Sequence, residues 1–443
     1  MSNQMDRGDF IKITGAASLG LYTLGAPAIL KGQSQNSKVT VAVIGTNNRG
    51  NAHASGFARH PNAEVTYICD VDEEAIKKGL NSVKEGGQEN EPEGLIDFRN
   101  ALDDPDLDAV ALAMPIHWHT PAAILALKAG KHVYIEKPCS HTPEEGKLLV
   151  EAADKYNRIV QMGNQRRSWP YVMEAMALLK DDIIGRPYFA RCWYANRRQS
   201  IGFGKPAPVP SNLDYELWQG PSTRKEYKDN LIHYNWWWHW HWGAGEILNN
   251  GVHYLDLARW GLGVDYPTKV TAMGGRYHWK DDQETPDTLV ATYQFPDDKT
   301  VAWESRSCNP RGIEGSSVGI SFHGENGTLV IGSGNEYVVY DNDNNVIERA
   351  ESGSADATDT SGPGFDLDRD HHDHFIKCIQ NGQRSRTAIA DANISVHNCH
   401  LGNIAYRTGR AIYCDPHDGR IIGDKEAMNY WTKEYEPGWK PTV

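Results

Sequence analysis

A chain of 443 residues, 40% hydrophobic and 23% charged, is globular in composition and too long for one ordinary core, so two domains are expected. Its net charge of −13 excludes nucleic acid and anionic membrane surfaces as partners, because both need clustered Lys and Arg to neutralise phosphate; a neutral small molecule fits better. The seven cysteines form no CxxC pair and are spread along the chain, which is neither a disulfide framework nor a zinc-ribbon spacing.

Residues 13–30 are an apolar, Gly/Ala-rich run, short and broken for a membrane span, and a polar tract over residues 33–37 follows. Upstream, Asp6, Arg7, Gly8, Asp9, Phe10, Ile11 and Lys12 resemble a twin-arginine export signal whose second Arg is replaced by Gly. Residues 1–37 therefore read as a removable leader addressed to the periplasm, with a degenerate leader on a cytoplasmic or membrane-tethered protein as the alternative, and no membrane span is expected in the mature chain.

Val39–Ile44 is a continuous apolar run rich in β-branched residues, as in a strand buried on both faces. It ends in Gly45, Thr46, Asn47, Asn48, Arg49 and Gly50, and a helical stretch runs on to Arg59. Strand, glycine turn and helix are the setting of a dinucleotide site, although Asn47 replaces the middle glycine of GxGxxG, a change tolerable because Asn accepts positive φ. The next strand, residues 64–69, delivers Asp70 where an acid accepts the adenosine ribose hydroxyls; neither Val71 nor Asp72 would neutralise a 2′-phosphate, which favours NAD over NADP.

Residues 108–114 form another buried strand, and Thr120 with Pro121 reads as the start of a helix ending at Gly130. The strand at 132–136 delivers Glu136, Lys137 and Pro138 to the carboxyl edge of the sheet, where open α/β sheets bind ligands. A helix over 144–156 and a strand over 159–163 follow, with Asn164, Gln165 and Arg166 beyond.

After Pro187 the strand-helix alternation gives way to runs at 188–194, 270–274, 288–295, 300–305, 317–323, 328–331 and 337–340, which read as a largely antiparallel sheet. Residues 351–368 read as an acidic, Gly/Ser-rich loop. A helix from about Glu246 to Trp260 places Asn249, His253 and Asp256 on one face beside an apolar stripe, the pattern of a helix lining a cleft. The fold class is α/β: a Rossmann doubly wound parallel sheet over 38–165, then an α+β domain over 166–443 with an open, largely antiparallel sheet for substrate and oligomerisation.

These residues together resemble the glucose-fructose oxidoreductase and inositol dehydrogenase family (Gfo/Idh/MocA): the glycine turn from Gly45 to Gly50, Asp70, Glu136-Lys137-Pro138, and the GxHxxD-like run Gly251-Val252-His253-Tyr254-Leu255-Asp256. The resemblance spans residues 39 to about 423 and implies a nicotinamide-dependent oxidoreductase acting on a sugar or polyol, paired as a homo-oligomer. It implies NAD contacts from Gly45, Asn47, Asn48, Arg49, Gly50 and Asp70 in the first half of the domain. In the second half it implies contacts from Pro115, His119, Glu136, Lys137, Asn164 and Gln165.

By the same resemblance Lys137 touches the nicotinamide ribose and the reacting hydroxyl, and His253 accepts the proton. Taking hydride from a carbinol requires the hydroxyl proton to leave, so a base and a cation within ~3 Å suit that chemistry. Many family members carry Asp where this chain has Asn249, which orients an imidazole without raising its basicity; Glu246, one turn back, is the candidate to supply the missing charge.

The family's strict glycosidase branch replaces the Lys of EKP, so Lys137 favours plain redox, with a cofactor-assisted glycoside hydrolase or lyase as the alternative. A third reading is a carbohydrate-binding protein with eroded turnover. The run Trp236-Trp237-Trp238-His239-Trp240-His241-Trp242 suits glycan stacking or an aromatic oligomer interface. His239 with His241, and Asp370-His371-His372-Asp373-His374, lack a full ligand set at a recognisable spacing, so no metal is expected.

Overall fold

The computed structural model describes residues 38–333, 336–350 and 364–443; the leader reading at 1–37 and most of the acidic loop lie outside the described residues. Lys38–Val443 forms one compact unit.

Six short segments build the first sheet, all largely buried except the exposed edge strand β3: β1 Val39–Ile44, β2 Ala63–Cys69, β3 Glu93–Leu95, β4 Ala109–Leu112, β5 His132–Ile135 and β6 Val160–Met162. Their spatial order is β3-β2-β1-β4-β5-β6, and every pair is parallel. The order reverses between β1 and β4, the switch point at which a doubly wound sheet opens a crevice at its carboxyl edge. Helices Arg49–Arg59, Glu73–Glu85, Ile116–Lys128 and Pro143–Tyr156 are the crossovers.

One of these begins earlier than its punctuation suggests. Helix Ile116–Lys128 starts a turn before Thr120, whose hydroxyl donates to the Cys139 carbonyl at 2.9 Å rather than capping, and Pro121 lies inside the helix. Proline has no N–H for the His117 carbonyl four residues back, and the Lys433 amine approaches that carbonyl at 3.4 Å instead. A tertiary donor thus lets the helix run through a residue that ordinarily ends one.

The second sheet contains β7 Pro187–Ala195, β8 Lys269–Gly275, β9 Thr288–Phe295, β10 Lys299–Arg306, β11 Val318–Gly324, β12 Gly327–Ile331, β13 Tyr337–Asp341, β14 Val346–Ala350 and β15 Ile412–Tyr413. Its order is β14-β13-β12-β11-β7-β10-β9-β8-β15, antiparallel throughout except for β7 with β10. Strict alternation of buried and exposed residues along β9 shows one covered face and one open face. Helices Val252–Leu262 and Ile389–Thr408 pack on the covered face.

Two elements differ from the pattern read in the sequence. Gly364–Asn381, including the part expected to be loop, is a helix that leaves the second sheet and packs against helix Arg49–Arg59 of the first domain. The helix expected from Glu246 is also not uniform: Ile247–Gly251 is a π turn, followed by α-helix Val252–Leu262. The wider turn changes the angular offset between Asn249 and the residues after it.

Asp256 therefore does not join Asn249 and His253 in a cleft. It is buried, 1% exposed, and accepts two 2.8 Å bonds from Arg167 and one from Ser395. Arg167 also reaches Asp391 at 2.6 Å, and Arg259 reaches the same carboxylate at 2.7 Å. Burial pushes Asp256 up, but Arg167 outweighs it and holds the carboxyl below its usual range.

Removing one partner of a buried pair leaves the other charge uncompensated. Asp256→Ala is therefore expected to cost about 3–5 kcal/mol in denaturant unfolding at pH 7. Because the folded pKa is depressed, the native contribution is full above the unfolded carboxylate value of ~3.9 and fades only as pH falls through the lower folded value. Unchanged stability at pH 7 would remove the pair from the fold's essential contacts.

Candidate active site

Between the carboxyl edge of the first sheet and the second sheet lies a cleft of about 390 Å³. Its lining includes Gly45, Asn47, Asn48, Arg49, Asp70, Pro115, His119, Glu136, Lys137, Gln165, Asn249 and His253. Gly50 and Asn164 do not line it. A Cβ at Gly50 would lie 1.8 Å from the Gly45 carbonyl oxygen, so this glycine lets the helix approach the turn rather than a ligand approach the backbone. Asn164 is buried at 2% exposure behind the lining.

The glycine turn fits a dinucleotide. Gly45 adopts φ +89°, and a Cβ there would sit 2.6 Å from the Met114 amide nitrogen, so no side chain is accommodated. Asn47 does not use the positive φ its residue type allows; its amide oxygen instead accepts from Lys78 at 2.8 Å. No side chain caps helix Arg49–Arg59, which leaves first-turn amides for a phosphate. Asp70 accepts from the Thr46 amide at 2.7 Å and the Asp72 amide at 3.0 Å, fixing its carboxylate at the edge of β2.

Arg49 and Glu136 are held by a network absent from the sequence pattern. Arg49 donates through Nε to Glu136 at 2.7 Å and through both terminal nitrogens to Asp368 at 2.5 and 2.8 Å. His53 Nε2 lies 2.9 Å from the same Glu136 oxygen, and His53 Nδ1 lies 2.8 Å from His372 Nε2. The carboxylate requires His53 to donate through Nε2, so Nδ1 accepts from His372 and both tautomers are fixed. Burial pushes Glu136 up, yet Arg49 and His53 overcome it and hold the carboxyl well below its usual range. Of the histidines weighed as metal ligands, His371 instead pairs with Ser168 and the Met162 carbonyl, and His241 with the Thr223 carbonyl.

Lys137 and His253 meet at the other end of the cleft. The Lys137 amine donates to the Asn249 carbonyl at 2.7 Å and to its side-chain oxygen at 3.1 Å, and lies 5.5 Å above the Trp237 ring. Burial pulls its pKa down to about 8; Glu136 and Glu246 oppose that and Arg49 and Arg198 add to it. Burial, then the charges of Lys137 and Arg166, hold His253 well below the ordinary histidine value, so its ring is neutral at pH 7. His253 Nδ1 is buried with no hydrogen-bond partner. An orphaned ring nitrogen beside a lysine, on the cleft wall, fits a ligand hydroxyl.

Glu246 does not serve His253. Arg198 binds it at 2.7 and 3.3 Å, Ser307 at 3.0 Å and Asn250 at 2.5 Å, so its charge is spent across the helix from the imidazole. The tryptophan run divides: Trp236 and Trp237, stacked at 4.4 Å, line the cleft, whereas Trp242 packs into the core against His117 and Trp218. Trp169, Tyr194, Asn196, Arg198, His233 and Tyr254 also line it. Density of aromatics signalled the tryptophans; nothing local to the sequence signals His233 or Arg198, which arrive on long connections.

Residues 39–164 match the family model described as an oxidoreductase family with an NAD-binding Rossmann fold, and residues 172–330 match the GFO/IDH/MocA C-terminal domain. A Glycosyl hydrolase family 109 protein of Saccharopolyspora erythraea is 29% identical over 226 residues, 46% of this chain and 49% of the relative. The uncharacterized oxidoreductase YrbE of Bacillus subtilis is 24% identical over 238 residues, 54% and 57% of the two chains. The chain thus spans about half the length of these curated relatives. Levoglucosan dehydrogenase in complex with NADH shares the fold at a TM-score of 0.66 and 20% identity, over 85% of this chain and 99% of that one. The WlbA dehydrogenase from Bordetella pertussis in complex with NADH and UDP-GlcNAcA does so at 0.64 and 20%, over 85% and 99%. With both halves of the described fold matched, the chain belongs to the GFO/IDH/MocA oxidoreductase family and carries its NAD-binding Rossmann fold.

Proposed function

We propose that the protein is an NAD-dependent dehydrogenase of a sugar or polyol. The observation that carries this reading is the pairing, in one cleft, of a half-buried, neutral His253 whose ring nitrogen is buried and orphaned with the amine of a half-buried Lys137. NAD, when bound, supplies the hydride acceptor. The chain's own groups do the rest: His253 takes the proton from the substrate hydroxyl, while the Lys137 ammonium steadies the oxygen on which charge develops. Asn249 holds Lys137 through two oxygens, so it positions the cation rather than tuning the base. Stacked Trp236 and Trp237 offer the flat apolar faces that sugar C–H surfaces occupy. Levoglucosan dehydrogenase, which has the same fold, is a sugar dehydrogenase by name.

The relatives named as glycosyl hydrolases favour a second reading, in which the sugar is oxidised only transiently and a glycosidic bond is cleaved. The two differ in whether reduced cofactor accumulates. On the leading reading, NADH builds up with a polyol or sugar substrate, Lys137→Ala and His253→Ala each still bind NADH, and each loses roughly 10²-fold or more in turnover. The rate rises as pH climbs through the depressed His253 value, which frees the base, and falls as Lys137 loses its proton near about 8. Wild-type turnover in either alanine variant removes that residue from the reacting shell. Release of a reducing sugar without NADH accumulation establishes the hydrolase reading instead.

We also propose a homo-oligomer formed through the open face of the second sheet. Met273 and Val290, paired across β8 and β9, are 80% and 45% exposed beside the bonded Thr271 and Thr292 hydroxyls. Light scattering should give a multiple of the 49.5 kDa chain mass, and Met273→Glu should reduce it to the single-chain value; a wild-type monomer overturns this.

The segment before Lys38 is proposed as a periplasmic leader, on its apolar run and twin-arginine-like start. No helix among the described residues is long and apolar enough to cross a membrane. Deleting residues 1–37 should leave the melting temperature and NADH affinity unchanged and abolish recovery in a periplasmic fraction; loss of cofactor binding would make the segment part of the fold.

A further inference from the structure

A second cavity, of about 350 Å³, shares no lining residue with the cofactor cleft. Five pieces of chain form it: His141 and Thr142 before helix Pro143–Tyr156, Ser222 and Thr223, the stretch from Trp240 to Ala244, helix Ile389–Thr408, and the stretch from Asn429 to Glu434. Its volume is that of a small-molecule pocket, and in a chain of charge −13 it is lined by two cations.

The cations differ in their state. Lys433 is neutralised: its amine lies 2.8 Å from Glu145, a fully buried carboxylate, and 3.0 Å from His141 Nδ1. Arg407 has no such partner. Its guanidinium lies 4.0 Å over the Tyr430 ring and 4.7 Å over the Trp240 ring, with no carboxylate in ion-pair distance among the described residues. The nearest acid acting on it, Glu284, is already engaged by the Trp240 amide at 2.7 Å and by His239 at 3.7 Å. Glu434, the carboxylate in the lining, is exposed to solvent. Stacking covers the faces of the guanidinium and one N–H bonds the Tyr430 hydroxyl, which leaves the remaining N–H edge for two oxygens of one anion.

A separate observation points to a ligand. Ser222 lines the same cavity at 2% exposure, and its hydroxyl makes no hydrogen bond. A buried hydroxyl without a partner is uncommon enough to need an occupant. Beside Ser222 the lining carries the Asn403 side chain, whose nitrogen donates to the Ala244 carbonyl at 2.8 Å and whose oxygen meets no donor among the described residues, and the Trp240 and Tyr430 rings that hold Arg407. Hydroxyl, amide oxygen and held cation together suit a hydroxylated ring bearing an acid.

We infer that this cavity is a second binding site, for a monosaccharide-sized ligand bearing a carboxylate, with the Arg407 edge on the acid and Ser222 on a hydroxyl. The site does not depend on the cleft's reaction and stands under either reading of it.

The test is calorimetric titration of glucuronate into the full-length protein saturated with NADH. Wild-type protein should bind it, glucose should bind at least ~10-fold more weakly, and Arg407→Gln should lose at least ~10-fold in affinity with the NADH dissociation constant unchanged. Asn403→Asp places a carboxylate one helical turn before Arg407, where it occupies the guanidinium internally; it should lose the same affinity, with an unchanged NADH dissociation constant showing that the fold survives loss of the 2.8 Å bond from Asn403 to the Ala244 carbonyl. His253→Ala should bind glucuronate as the wild type does. No binding by the wild type, equal binding of glucose, undiminished binding by both Arg407→Gln and Asn403→Asp, or loss confined to His253→Ala would each overturn the inference.

Discussion

The placement of the cofactor turn rests on one half-buried guanidinium. Arg49 is the second-last residue of the glycine turn, and it bonds Glu136 at the end of β5 and Asp368 on a helix 319 residues further along. A largely covered arginine is unfavourable unless its donors are met, and two carboxylates meet them. The same bonds join three otherwise separate parts: the turn, the EKP tripeptide and the helix that returns from the second domain. His53 and His372 extend the network inward, so a displaced turn would leave charges and ring nitrogens unpaired in the core.

That anchoring sets the electrostatics of the reacting end. Glu136 bonds Arg49 and His53 and acts on the Lys137 amine only through its charge, while that amine donates to the two Asn249 oxygens and sits over the Trp237 ring. Burial without a carboxylate contact pulls the amine down to about 8 and leaves His253 neutral. A carboxylate at position 249 would reverse both tendencies, and Glu246 does not replace it because Arg198 holds it. The proposed base His253 and the proposed cation Lys137 are thus set by what surrounds them rather than by a relay between them.

The likeness to levoglucosan dehydrogenase and WlbA is a likeness of fold, at 20% identity, and the same scaffold accommodates different substrates through its cleft lining. In this chain much of that lining comes from the long connection between β7 and β8, which carries His233, Trp236 and Trp237. Loops on a rigid sheet are where such differences accumulate.

The sequence by itself determined what is periodic or local. Buried strands read as continuous β-branched runs, alternation marked the second sheet, and Gly45, Asp70 and Lys137 stand at strand ends whose chemistry is evident in one dimension. Tertiary structure alone decided which polar groups face one another. Glu246 and Asp256 look equally placed beside His253 in the helical pattern, but Arg198 and Arg167, distant in sequence, claim them, and a π turn shifts the register between them. Pro121 reads as a helix start until the Lys433 amine comes near the carbonyl it leaves unpaired. Asp368 sits in an acidic, Gly/Ser-rich stretch with nothing local to mark it, because pairing with Arg49 is a property of how the chain returns and not of its neighbours.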